Sequence, residues 1–416
     1  MSEIYDIIIV GGGPGGLSAG IYGSRARLKI AVIEMGRAGG QAATTEEMEN
    51  YPGTFGGVTG PELMDRFAAH AKIFGTEIIR GLVVDLELDA PVKKLILKSG
   101  EVYQSHSVIL APGAEPRMAG INGEGRMRGK GVSYCATCDA DFFVDLDIAL
   151  VGNGDTAIEE AIYLTKFVNE VTMVVVHDEG VLNCNKASAE KAFKNPKLKW
   201  VWNSVIDEIV GDELVEEIVI RNVKTDELTR KELNGVFVFV GTEPKTKFLQ
   251  GKVDLDEYGY IKANELMETN VEGVYAVGDA RVKYLRQVVT AAADGAIAAV
   301  AAEKYLAETE TFREQVLEAE TPVLLVFWSS RVDKSISAIA KLEAAVERAD
   351  GKLSLVKVNP FRSKNTAATY KAVEIPTVVL LDKGKEVGRL DGEFTDADLE
   401  KLIGEYIKEV FICCSN

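Results

Sequence analysis

An apolar run, Ile7-Ile8-Ile9-Val10, leads directly into GGGPGG, and the following LSAGIYGSR spaces its apolar positions at helical intervals. This pattern predicts a buried parallel strand over residues 6–10, a helix, and a second strand in KIAVIE that ends on Glu34. The same order returns in DIALVGNGDTAIEEAIYL, with a strand over 148–151 and a helix after its glycines. From about residue 200 the periodicity changes to short alternating strands, VWNSVIDEIV, VEEIVIRNV and GVFVFVG, separated by polar turns. VEGVYAVGDA ends a further strand on Gly278 and Asp279, and a long helix begins near Gln287. Residues 303–320 form an acidic, helix-prone connector. Beyond it the pattern reads strand (TPVLLVFWSS), helix (SISAIAKLEAAVERAD), three strands (KLSLVKVN, EIPTVVLLD, KEVGRLDG) and a last helix (DADLEKLIGEYIKEV). The expected class is α/β throughout.

The glycines give these units their chemistry. Gly11, Gly13 and Gly16 stand in GxGxxG spacing between a strand and a helix, which lets backbone approach a pyrophosphate at the helix N-terminus. Glu34 stands where a carboxylate accepts from a ribose. Gly152, Gly154 and Ala157 repeat the arrangement as GxGxxA. Between the two units lies SYCATCD, with Cys135 and Cys138 separated by two residues and Asp139 next. That gap allows a small disulfide ring that opens and closes reversibly; half a zinc site and a structural bridge are the alternatives. Only three histidines and no second CxxC are present to complete a metal shell, so no metal is expected. Asp139 suits a proton shuttle for a leaving thiolate, or a helix N-cap. A redox disulfide beside two dinucleotide folds suggests electrons passing from nicotinamide to flavin to sulfur.

Length and charge narrow the classes. At 416 residues the chain predicts two to three domains, and its net charge of -17 repels phosphate backbones, which argues against nucleic-acid binding. No apolar run approaches the ~20 residues of a membrane span, and five cysteines are an odd count for a secreted framework, so a cytoplasmic location is expected.

Residues 1 to about 310 resemble a low-molecular-weight thioredoxin reductase: GGGPGG, GGQAATTEEMENYPG, APGAEPR, SYCATCD, GNGDTAIEEA, VYAVGDA and RQVVTAAADG follow that family's order and spacing. The resemblance implies a homodimer in which 1–114 and 243–308 bind FAD and 115–242 form an inserted NAD(P)-type domain. It carries FAD contacts to Gly11, Gly13, Gly16, Glu34, Gln41, Asn50, Asp279, Arg286, Gln287 and Val288. It puts Cys138 toward the flavin, Cys135 toward the protein substrate and Asp139 as acid/base, with the inserted domain rotating between the two. Nicotinamide-nucleotide contacts fall on Gly152, Gly154, Asp155, Thr156, Ala157, His177, Asp178 and Glu179.

Three features depart from the family. Its 2'-phosphate motif, H-R-R-x-x-x-R, reads HDEGVLN here: His177 is kept, Asp178 and Glu179 replace two arginines, and Asn183 replaces the third. Carboxylates repel a 2'-phosphate and accept from a free 2'-hydroxyl, so NADH is expected over NADPH. After a 309–319 linker, residues 320–410 resemble a thioredoxin fold with a cis proline expected at Pro376, yet Val332 and Ser335 occupy its CxxC positions. That domain is expected to dock or to support rather than to exchange thiols. Finally, residues 411–416 form a tail in which Cys413 and Cys414 are a candidate electron relay, while Cys184 is expected to be inert.

The leading expectation is an FAD enzyme that reduces thioredoxin or a similar small disulfide protein. A ferredoxin-fed enzyme is the alternative, favoured by Lys186, Lys191, Lys194, Lys197 and Lys199 on an acidic chain. A flavoprotein sensor or scaffold without turnover is a third class, which the complete FAD and CATC motifs oppose.

Overall fold

The structure, a computed structural model, describes residues 4–44, 48, 50–54 and 58–413, and it divides into two compact units. The first comprises residues 1–270 and 274–300, the second 271–273 and 301–416.

In the first unit, strand Ile4–Val10 pairs in parallel with Ile30–Glu34 on one side and Val102–Leu110 on the other. Ile7, Ile8 and Ile9 are fully buried, as an unalternating apolar run requires of a strand covered on both faces. Glu77–Arg80 and Val274–Ala276 extend the sheet in parallel, and Lys93–Leu97 and Val83–Glu87 add antiparallel strands. A second, all-parallel sheet has the order Leu198–Val201, Glu170–Val174, Asp147–Val151, Gly235–Val238, Val132–Ser133. Its flank is a three-stranded antiparallel sheet, Ser204–Val210, Glu217–Asn222 and Leu228–Glu232. Where the chain passes between these two larger sheets, Ala114–Pro116 pairs antiparallel with Thr242–Pro244. The stretch VWNSVIDEIV, read as one strand, is broken: Asn203 turns at φ 52°, leaving Val201 in the parallel sheet and Ser204 in the antiparallel one.

The second unit carries a four-stranded sheet in the order Ser354–Val358, Val323–Phe327, Thr377–Asp382, Lys385–Asp391, parallel only in the first pair. Alternate residues of Val323–Phe327 feed two cores. Val323, Leu325 and Phe327 pack with Val316 and Ala367, and Leu324 and Val326 pack with Leu342 and Leu399. The segment read as a connector is helical, since Val288–Phe312 is followed at once by the π-turn Arg313–Leu317, and Val316 is fully buried. The Ile375–Pro376 peptide is cis. Val332 stands at the N-cap position of helix Asp333–Arg348 without a side-chain cap, and Ser335 is fully buried. The last helix runs Asp396–Cys413, so backbone expected in a tail is helical as far as Cys413; Cys414 lies outside the described residues. Short helix Lys364–Thr369 had no counterpart in the sequence pattern.

Candidate active site

The first glycine loop shapes its own cradle. Gly11 has φ 103°, and a Cβ on Gly16 would sit 1.9 Å from the carbonyl oxygen of Gly11, so turn and helix approach as only glycine permits. Glu34 is fixed at its strand end by the N–H groups of Gly12 (2.7 Å to Oε2) and Gly36 (2.9 Å to Oε1). The second loop turns at Gly152, φ 138°, ahead of helix Asp155–Leu164.

Both loops open on one cavity of about 2050 Å³. From the first sheet it is lined by Gly11, Gly13, Glu34, Gln41, Asp279, Arg286, Gln287 and Val288. From the second it takes Gly152, Gly154, Asp155, Thr156 and Ala157, and between them Cys135, Cys138 and Asp139. Gly16 lies beneath the turn, and Asn50 reaches the site by donating to Gln287 Oε1 at 3.1 Å. His177, Asp178 and Glu179 are not part of the lining. His177 Nε2 lies 3.3 Å from Asn183 Nδ2, Asp178 forms an ion pair with Lys224, and Glu179 is exposed.

Cys135 and Cys138 are joined as a disulfide at the start of the one-turn helix Ala136–Asp139. Ser133 organises that turn: its hydroxyl donates to Asp139 Oδ2 at 2.5 Å and accepts from the Cys135 N–H at 3.1 Å. Asp139 is thus held by a side chain beside the disulfide, and it makes no side-chain cap to the 3₁₀ turn Ala140–Phe143 that follows. Gln287 Nε2 reaches Thr137 Oγ1 at 3.4 Å and Cys135 Sγ at 3.9 Å, and Arg128 Nη2 donates to Gln41 Oε1 at 3.1 Å, so the two halves of the cavity are bridged across the disulfide. Behind Cys135, Tyr134 donates to Glu124 Oε1 at 2.8 Å, and burial followed by this bond pushes the phenol far above its usual range. Glu124 also accepts from the N–H groups of Ala119, Gly120 and Ile121, which ties the redox turn to the strand crossing. Ser133, Arg128, Glu124 and Tyr134 were not singled out from the sequence. Ser133 and Tyr134 stand inside SYCATCD, but nothing in the sequence marks their bonds to Asp139 and Glu124, and Gln41, the partner of Arg128, lies far away in the chain.

Two acids carry unusual charge conditions. Asp279 Oδ1 is buried without a hydrogen-bond partner, and burial holds this carboxyl above its usual range despite Lys283 and Arg286 nearby. Glu160 lines the cavity near the second loop with Oε2 unpartnered, and burial, then Glu159, raises it. An orphaned buried acceptor beside a glycine cradle is what a hydroxyl-bearing dinucleotide would satisfy, so these residues fit FAD.

Two glycine loops that share a cavity with a CxxC disulfide define a two-nucleotide disulfide oxidoreductase. Residues 5–295 match the pyridine nucleotide-disulphide oxidoreductase family, and 303–405 match thioredoxin. The chain belongs to that oxidoreductase family, as a low-molecular-weight thioredoxin reductase with a C-terminal thioredoxin domain. It is 52% identical over 312 residues to a thioredoxin reductase of Peptoclostridium acidaminophilum, covering 74% of this chain and 98% of that protein. It is 34% identical over 446 residues to a bifunctional thioredoxin reductase/thioredoxin of Mycobacterium leprae, covering 97% of each. Among solved structures, thioredoxin reductase from Streptococcus pyogenes superposes with a TM-score of 0.70 at 40% identity, over 74% of this chain and all of that one. The protein is an FAD-dependent disulfide oxidoreductase.

Proposed function

We propose that this enzyme takes electrons from NADH in preference to NADPH and delivers them through Cys135 and Cys138 to thioredoxin or a similar small disulfide protein, working as a homodimer. The observation that carries this reading is the shared cavity: the Cys135–Cys138 disulfide lies between the two glycine loops. Bound FAD supplies the two-electron carrier between nicotinamide and disulfide. Cys138 would stand on the flavin side of the pair; Cys135 attacks the substrate disulfide to form a mixed disulfide, Asp139, held by Ser133, gives the departing thiolate its proton, and Cys138 then displaces the second substrate thiolate and re-forms the Cys135–Cys138 disulfide. Residues 1–114 with 243–308 hold FAD, and 115–242 hold the nicotinamide nucleotide around Gly152, Gly154, Asp155, Thr156 and Ala157.

The NADH preference is supported by Asp178 and Glu179. Asp178 is paired with Lys224, but both side chains are more than half exposed, and such a pair contributes only about 0–1 kcal/mol, so a ribose hydroxyl competes for the carboxylate. A 2'-phosphate meets repulsion instead. A second reading, reduced ferredoxin as donor, is favoured by exposed Lys186, Lys191 and Lys194 on one short helix beside exposed Phe193. Anaerobic flavin reduction by NADH, NADPH and reduced ferredoxin in parallel tests the proposal. NADH is expected to reduce the flavin fastest at equal low concentration; faster reduction by NADPH contradicts the role of Asp178, and reduction by ferredoxin alone selects the second reading.

A further inference from the structure

The orphaned carboxylate of Asp279 presents a physical problem. Lys283 and Arg286 are the cations whose charge bears on it, and a buried carboxylate with an unpaired oxygen ordinarily captures such a neighbour. Neither cation satisfies Oδ1. Arg286 lies over the Tyr260 ring, 4.2 Å from its centroid, and its Nε approaches the Asp279 backbone carbonyl at 3.4 Å. Lys283 donates to Asp294 Oδ2 at 2.7 Å, with side-chain exposures of 6% and 7% for the two partners. Asp294 is a hub: it also accepts Arg281 Nε at 2.9 Å and Nη2 at 3.0 Å, and the N–H of Gly278, the residue before Asp279, at 3.0 Å. Although burial opposes its charge, bonds from Arg281 and Lys283 outweigh that and hold its carboxyl below the usual range.

We propose that Asp294 is a positioning residue for flavin binding: by sequestering Lys283 and fixing Gly278, it keeps the Asp279 carboxylate free to accept a hydroxyl of FAD. The proposal rests on FAD occupying the cavity. Without the Asp294 charge, Lys283 is a buried ammonium in need of an anion, and Asp279 is the nearby acid with an open acceptor. Their pairing consumes the acceptor that the cofactor needs. Removing Lys283 as well removes the competitor, so the two substitutions are coupled in sign.

The test uses the full chain stripped of flavin and titrated with FAD, read by quenching of flavin fluorescence, with apoprotein Tm measured in parallel. Asp294→Asn is expected to weaken FAD binding by about tenfold or more, as loss of one hydrogen bond to a charged acceptor implies. Lys283→Met combined with Asp294→Asn is expected to restore binding to within about threefold of the parent, whatever happens to Tm. Unchanged affinity in Asp294→Asn overturns the proposal. So does a double variant that binds as weakly as the single one, since that outcome makes Asp294 a structural anchor only. If Asp294→Asn does not fold, the double variant alone decides by the same criterion. Failure of the parent chain to bind FAD refutes the cofactor assignment itself, separately from the role of Asp294.

Discussion

Asp279 Oδ1 is buried without a hydrogen-bond partner, which makes the ionised carboxyl unfavourable in the flavin-free protein. Its folded carboxyl is raised by burial, so the ionised form costs stability at all pH values above that raised value, and the cost vanishes below the unfolded value of about 3.9. Asp279→Asn is therefore expected to raise the Tm of the flavin-free protein at neutral pH, to lose that advantage below about pH 4, and to weaken FAD binding by about tenfold or more. Thermal melts across pH together with FAD titration check both signs. In the proposed mechanism the two sulfurs have separate roles. Cys135→Ser is expected to keep FAD and donor oxidation but to lose reduction of thioredoxin; full turnover of thioredoxin by this variant would overturn the assignment of Cys135 as the attacking thiol. At this scale the residues legible in the sequence were those set in local motifs, such as Gly11, Glu34 and Cys138. Ser133, Glu124 and Asp294 were not: Ser133 and Glu124 bond mostly to near neighbours through turns that no motif marks, and Asp294 meets Gly278, Arg281 and Lys283 only once the chain folds back on its helix.

Elements set the site through backbone geometry. The approach of helix Pro14–Arg25 to the first glycine turn leaves no room at Gly16, so Gly16→Ala is expected to give protein that purifies without flavin absorbance while retaining its far-UV circular dichroism. Strands and helices with strong periodicity, such as Ile4–Val10 and Asp333–Arg348, were readable to within a few residues. Helix Gly60–Ile73 carries a start signal in TGPE, where Thr59 and Glu62 form a capping box with a proline in the first turn, but the glycines around it blur the helical pattern. The break at Asn203 was hidden for another reason. A left-handed residue between two apolar stretches leaves the alternation of side chains almost intact on paper while it sends the two halves to different sheets.

In the molecule as a whole, a reductase region is joined to a thioredoxin domain that keeps its fold and its cis Pro376 but holds Val332 and Ser335 at the sulfur positions. The domain cannot pass electrons by dithiol exchange at those positions. In the proposed reading the electron path rests on Cys135 and Cys138 and on a donor site at Asp178 and Glu179 that disfavours a 2'-phosphate. Replacing Asp178 and Glu179 together by arginine is expected to move the NADPH-to-NADH preference by about thirtyfold to several-hundredfold, on the order of 2 to 4 kcal/mol, read as the ratio of kcat/KM for the two nucleotides. The most direct test of the central claim is a single anaerobic experiment in which the enzyme is reduced by NADH and then mixed with oxidised thioredoxin while flavin absorbance and free thiols on thioredoxin are followed together. Reappearance of oxidised flavin in step with thioredoxin thiols is the predicted result. Flavin that stays reduced while the thioredoxin disulfide remains intact would contradict the account.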